Sequence, residues 1–179
     1  MMVKNENMPN FDEIEDWKQF QSLVEAYFNE LKNDPNNKIY QIEVIKSGVG
    51  GDGGRDILLT MNLDDEISTY SRKWVVQCKF NDKDLNLGNL DKINIPSLVH
   101  SLGADGYLLI CRKYFTNNVQ TFFANLNDNC KFKYRYELWD KDNFIDKLID
   151  KDKILIHYFP KFYKYTKSKK LFTNNDNWR

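Results

Sequence analysis

Between residues 10 and 31 the apolar positions recur at helical spacing, with Trp17, Phe20, Val24, Tyr27, Phe28 and Leu31 on one stripe. Asn10 is a good N-cap, and Asp12, Glu13, Glu15 and Asp16 suit the positive end of a helix dipole. The stretch NDPNN, with Pro35 and three asparagines, ends the pattern. The period then changes. KIYQIEVIKSG alternates as a strand, a glycine-rich loop follows, and RDILLTMNL reads as a second strand with a turn at Asp64-Asp65-Glu66. RKWVVQCKF is β-branched and aromatic enough for a buried third strand, which completes an antiparallel meander.

Beyond it, strands alternate with helices. Ile93, Leu98 and Leu102 give a helix face that stops at Gly103, and GYLLICRKY, almost wholly apolar, predicts a central strand. TNNVQTFFANLNDN predicts a helix capped by Thr116, KYRYELWD a fifth strand, and DNFIDKLIDKD a short amphipathic helix capped by Asp142. The order α, three strands, α, β, α, β, α implies an α/β sandwich whose central mixed sheet begins as an antiparallel meander.

Composition narrows this picture. The 179 residues, 41% hydrophobic and 15% aromatic, suffice for one well-buried domain. No stretch approaches the roughly 18–20 apolar residues of a membrane helix, and the start MMVKNENMPN lacks a secretory signal's apolar segment; a cytoplasmic protein is expected. Cys78, Cys111 and Cys130 lie far apart without metal-ligand spacing and read as reduced thiols.

The formal net charge is zero, but its distribution is uneven. Residues 1–34 carry three basic and eight acidic side chains, a net of −5, whereas residues 151–179 carry eight basic and two acidic, a net of +6. In the second segment lysines interleave with Phe162, Tyr163, Tyr165 and Phe172. This pattern suits either a grip on a phosphate backbone with stacking on bases, or a solvated end leading into a further domain. The expected organisation is a domain over 1–150 followed by this basic aromatic extension over 151–179.

Candidate chemistry concentrates where five of the eight glycines fall within residues 48–54, just before Arg55-Asp56. Gly48-Val49-Gly50-Gly51-Asp52-Gly53 matches GxGxxG, but a dinucleotide site requires a helix after the glycines and here a strand follows. On the third strand Gln77 and Lys79 share a face and Cys78 turns to the other. A glutamine and a lysine on so apolar a strand require polar partners or a cleft. Asp56, at the start of the neighbouring strand, is the natural partner, either in a buried Asp–Lys pair or in a site. His100 and His157 stand alone, and Trp74, Tyr107 and Trp139 read as core.

GGDGGRDILL combined with VVQCKF resembles the Mrr-like restriction endonuclease catalytic domain, a branch of the PD-(D/E)xK nucleases in which Q-x-K replaces the usual D/E-x-K. The resemblance covers roughly residues 11–150, including FQSLVEAYFNEL, GADGYLLICRKYFTNNVQTFF and YELWDKDNFIDKLI. It implies a restriction-endonuclease-like α/β/α sandwich and a Mg²⁺-dependent DNA endonuclease, with Mn²⁺ as a substitute, acting in restriction or anti-phage defence.

The resemblance makes Asp56 the principal metal ligand and Gln77 the second ligand through its amide oxygen. Glu25 would supply the missing anionic charge, although it equally suits a solvated or salt-bridged helix residue. Lys79 would orient the attacking water and offset phosphate charge. Gly53, Gly54 and Arg55 would meet the nucleic acid, with glycines leaving room and amide donors for a phosphate. Implied partners are DNA, a second copy of the chain in a homodimer or larger assembly, and an additional specificity or sensor domain. A non-catalytic nucleic-acid-binding module on the same fold and an RNA-directed nuclease are the alternatives.

Overall fold

The computed structural model describes residues 8–31, 38–46, 55–64 and 67–175. The glycine loop, including Gly53 and Gly54, the NDPNN break and part of the Asp64-Asp65-Glu66 turn lie outside the described residues. The chain forms α1 (Trp17–Leu31), β1 (Ile39–Lys46), β2 (Ile57–Asp64), β3 (Thr69–Lys79), α2 (Ile95–Ser101), β4 (Gly106–Cys111), α3 (Asn117–Asn129), β5 (Arg135–Trp139), α4 (Lys141–Leu148), α5 (Asp152–Tyr158) and α6 (Pro160–Asn175). One five-stranded sheet runs in the order β1-β2-β3-β4-β5. The first three strands are antiparallel neighbours, and β4 and β5 add in parallel. This is the mixed sheet expected from the order of elements.

Period-two alternation assigns each strand residue to one of two cores. On one face Ile57, Leu59, Val76, Leu108 and Ile110 pack with Phe20, Leu23, Val24 and Phe28 of α1 and with Phe144 of α4. On the other Val75, Tyr107, Leu109 and Tyr136 pack with Val99 of α2 and with Val119 and Phe123 of α3. β4 is buried throughout, as befits a parallel strand covered on both faces.

Several helix starts fall a few residues from where the local pattern predicts them. Asn10 caps only a 3₁₀ turn at Phe11–Glu13, while Asp16 Oδ1 accepts from Gln19 N–H (2.7 Å) at the start of α1. Trp17 therefore falls at the first turn, 55% exposed and off the buried stripe. Asp140, not Asp142, caps α4: its Oδ1 accepts from Asn143 N–H (2.9 Å), and Asn143 answers in a capping box. Thr116 occupies the cap position of α3 without a side-chain capping bond. Gly103 ends α2 at φ 56°, a backbone conformation that glycine adopts freely.

The basic end is helical and partly internal. Ile154, Leu155, Tyr158, Phe159 and Phe162 belong to the same core as α1 and α4, with Phe159 5.9 Å from Phe11 between ring centroids. Glu13 accepts from the backbone N–H groups of Lys161 (2.8 Å) and Phe162 (3.1 Å), capping the start of α6 with a carboxylate. Phe162 is thus a core residue rather than a ring free to stack on bases, while Lys161, Lys164 and Lys167 remain exposed. Residues on both sides of position 150 share one core.

Candidate active site

Adjacent strand ends bring Asp56 to the Gln77–Lys79 segment. Ile57 pairs with Val76, so Asp56 sits at the end of β2 beside the last residues of β3. Its N–H donates to Val76 O (3.0 Å), and its Oδ2 accepts from Cys78 N–H (2.6 Å). The carboxylate is therefore fastened to the residue between Gln77 and Lys79. Helix α1 holds the same point from outside the sheet, where Gln21 Nε2 donates to Asp56 O (3.0 Å).

Burial pushes the Asp56 carboxyl above its ordinary value, against the opposing pull of the Cys78 N–H and the positive charge of Lys79. Burial, and after it the charge of the same carboxylate, raises the Cys78 thiol and the Tyr107 phenol. Both stay protonated at neutral pH. The site thus holds one partly desolvated anion that its protein partners offset only in part.

Gln77 is 4% exposed, on the α2/α3 side of the sheet, and its Oε1 accepts from the Tyr107 hydroxyl (2.5 Å). Cys78 packs against the opposite core, as the strand alternation required. Lys79 is half-buried at the last paired position of β3, next to Cys111 of β4. Beyond it Arg112 N–H donates to Lys79 O (3.0 Å), and the Arg112 guanidinium reaches Asp82 (3.0 Å) and Asp12 (3.3 Å) while lying over Phe80. That cluster ties the exit of β4 to the 3₁₀ turn before α1 and braces this end of the sheet.

Glu25 lies on α1 one turn beyond Gln21 and pairs with Lys46, the last residue of β1. Lys46 in turn faces Ile57 across the β1–β2 ladder. Glu25 is accordingly salt-bridged in this arrangement, one of the two roles its helical position allowed. Arg55 is half-buried ahead of Asp56. His100 Nδ1 meets Tyr134 Oη (2.7 Å), away from these residues, and His157 packs edge-on against Tyr158. Among the described residues no group of three or more His, Cys, Asp or Glu side chains gathers as a metal cluster.

Two further residues, Gln21 and Tyr107, contact Asp56 and Gln77. Gln21 stands four residues before Glu25, a spacing that places both on one helix face and that was available as a signal. The apolar setting of Tyr107 predicts a core ring, and the ring is fully buried; its hydroxyl, however, serves Gln77.

Residues 12–148 match the restriction endonuclease family defined by the Mrr catalytic domain. The chain belongs to this family. Among solved structures it is similar to the MspJI restriction endonuclease in complex with a 27-mer oligonucleotide, at 12% identity and TM-score 0.51, over 72% of this chain and 27% of that one. It also matches the DNA modification-dependent restriction endonuclease AspBHI at 13% identity and TM-score 0.43, over 83% of this chain and 38% of that one. The chain thus spans a minor part of either enzyme's length. No curated protein matches it. The restriction-endonuclease-like α/β fold expected from the central motifs is the fold of this family member.

Proposed function

We propose that this chain is a metal-dependent endonuclease that hydrolyses DNA phosphodiester bonds through Asp56, Gln77 and Lys79. The observation that carries the reading is the fastening of the Asp56 carboxylate to Cys78 N–H, the residue flanked by Gln77 and Lys79.

The donor set fits a hard cation. Asp56 is a partly buried anion whose burial outweighs its protein partners, and Gln77 adds a neutral amide oxygen; Mg²⁺, with Mn²⁺ as a substitute, favours such ligands and retains several waters. Asp56 and Gln77 would hold the ion, and Glu25 would join them on releasing Lys46. When bound, the cation supplies Lewis-acid stabilisation of charge developing on the phosphate.

The remaining work falls to the chain itself. Lys79, a compact cation on a flexible stem, orients the attacking water and offsets phosphate charge. Gln21 and Cys78 hold Asp56 in place through its carbonyl and carboxylate oxygens. Arg55, Gly53 and Gly54 approach the nucleic-acid backbone. A role in restriction or anti-phage defence, in the cytoplasm, accords with the family. Two strand cuts favour a homodimer or larger assembly, and target choice is assigned to an additional specificity or sensor domain.

Plasmid cleavage with Mg²⁺ tests the proposal. The wild-type chain is expected to cut, with Asp56→Ala and Lys79→Ala inactive while retaining the wild-type circular dichroism. Equal cutting by both variants overturns the assignment. DNA binding by the wild type without cutting favours a non-catalytic module, and cutting confined to RNA substrates favours the RNA-directed alternative.

A further inference from the structure

Gln77 stands where charge would be expensive: it is 4% exposed, and its side-chain oxygen faces a fully buried tyrosine. A glutamine amide in isolation is poorly determined, because its last torsion is broad and its oxygen and nitrogen ends are nearly alike in size. Presented one way it offers an acceptor; presented the other way it offers two donors, which repel a cation.

The Tyr107 hydroxyl removes this ambiguity. Its ring is locked by burial, lies 6.2 Å from Phe123 of α3 between centroids, and belongs to the core beneath the strand pair β3–β4. Its bond is to Gln77 Oε1 at 2.5 Å. A buried phenol donor left without an acceptor is costly, so the amide is held with its oxygen toward Tyr107. One lone pair of that oxygen stays available, because a carbonyl oxygen accepts twice.

We propose that Tyr107 is a positioning residue, whose hydroxyl fixes the orientation of the Gln77 amide so that its oxygen can serve a divalent cation together with Asp56. The inference rests on the nuclease reading above and adds to it a connection from α3 through Tyr107 to the site. It also gives a physical reason for an amide here. A carboxylate at position 77 would be a second desolvated anion beside Asp56, whereas an amide held by a phenol supplies an oxygen without a charge.

The test is Tyr107→Phe, which keeps the ring and deletes one oxygen. Calorimetric titration of the metal-free protein with Mn²⁺ should show a dissociation constant raised about ten-fold, the scale typical for loss of a partner behind a metal ligand. The Mg²⁺ concentration giving half-maximal plasmid cleavage should rise in parallel, with the maximal rate recovered at saturating Mg²⁺. In a Gln77→Leu background, deletion of the hydroxyl should have no further effect on Mn²⁺ affinity, because the group it orients is absent.

A Tyr107→Phe dissociation constant within two-fold of wild type overturns the proposal, as do effects of the two substitutions that simply multiply. Wild-type protein that binds no Mn²⁺ overturns the nuclease reading and the proposal with it. Should Tyr107→Phe fail to fold, ¹⁵N spectra of wild-type side-chain amides decide. One glutamine amide pair protected from solvent exchange and shifted by Mg²⁺ is expected, and glutamine amides that all exchange freely overturn the assignment.

Discussion

Phe159→Ala is the most direct probe of how far the chain beyond residue 150 stabilises the core it shares with α1 and α4. Phe159 is 0% exposed and lies against Phe11, which contacts Phe20 and Phe144 in turn. The substitution leaves a void where α5 and α6 meet α1 and α4, in a core that also buries Ile154, Leu155 and Phe162. Deleting a buried phenylalanine ring costs roughly 3–5 kcal/mol, out of a total stability of roughly 5–15 kcal/mol. At about 2–4 °C per kcal/mol for a chain of this size, the melting temperature should fall by about 6–20 °C. Ile156, three residues earlier and 51% exposed, provides the control: Ile156→Ala should cost no more than about 0.5 kcal/mol. Thermal unfolding followed by circular dichroism reads both. Truncation after Asp150 extends the argument, since five core side chains at roughly 1.5–3 kcal/mol each represent burial comparable with the whole stability. A Phe159→Ala chain melting with the Ile156→Ala control, or a cooperative two-state transition in the truncated chain, would refute the reasoning.

Asp56→Asn should abolish cleavage yet raise the melting temperature at neutral pH, because the folded state holds the Asp56 carboxyl above its ordinary value chiefly through burial. A carboxyl raised on folding binds its proton more tightly in the folded chain, so the wild type gains stability as pH falls through the folded-state pKa of Asp56, and the asparagine variant should lack that gain in matched pH-dependent melts. Gln77→Glu puts an ionisable group at a position 4% exposed, so its melting temperature should fall below wild type and the deficit should widen as pH rises. Gly106→Ala should cost roughly 1–3 kcal/mol in urea unfolding, since the new Cβ would lie 2.6 Å from both Arg135 O and the Trp74 ring. Glu25→Gln, which breaks the pair with Lys46, should change stability by less than about 1 kcal/mol, whereas a raised Mg²⁺ requirement for cleavage would mark Glu25 as a ligand.

The amino-acid pattern determined what is local. Period-two alternation placed Val76 and Cys78 on one face and Gln77 on the other, the shift between strand and helix periods gave the order of elements, and the carboxylate and Q-x-K segments identified the family. Each of these is written within a few residues, because side-chain direction repeats along a strand or helix with a fixed period. Periodicity states which way a side chain points without stating what it meets. The partners of the site residues come from elsewhere in the chain: Gln21 on Asp56 spans 35 positions, Tyr107 on Gln77 spans 30, and Glu13 on Lys161 spans 148. Composition left the basic end as either a grip on a phosphate backbone or a solvated end, and it did not show that Ile154, Leu155, Tyr158, Phe159 and Phe162 pack into the core beside Phe11. Tertiary structure decided those pairings, because the gain from filling a void or satisfying a buried polar atom exists only after distant segments have met.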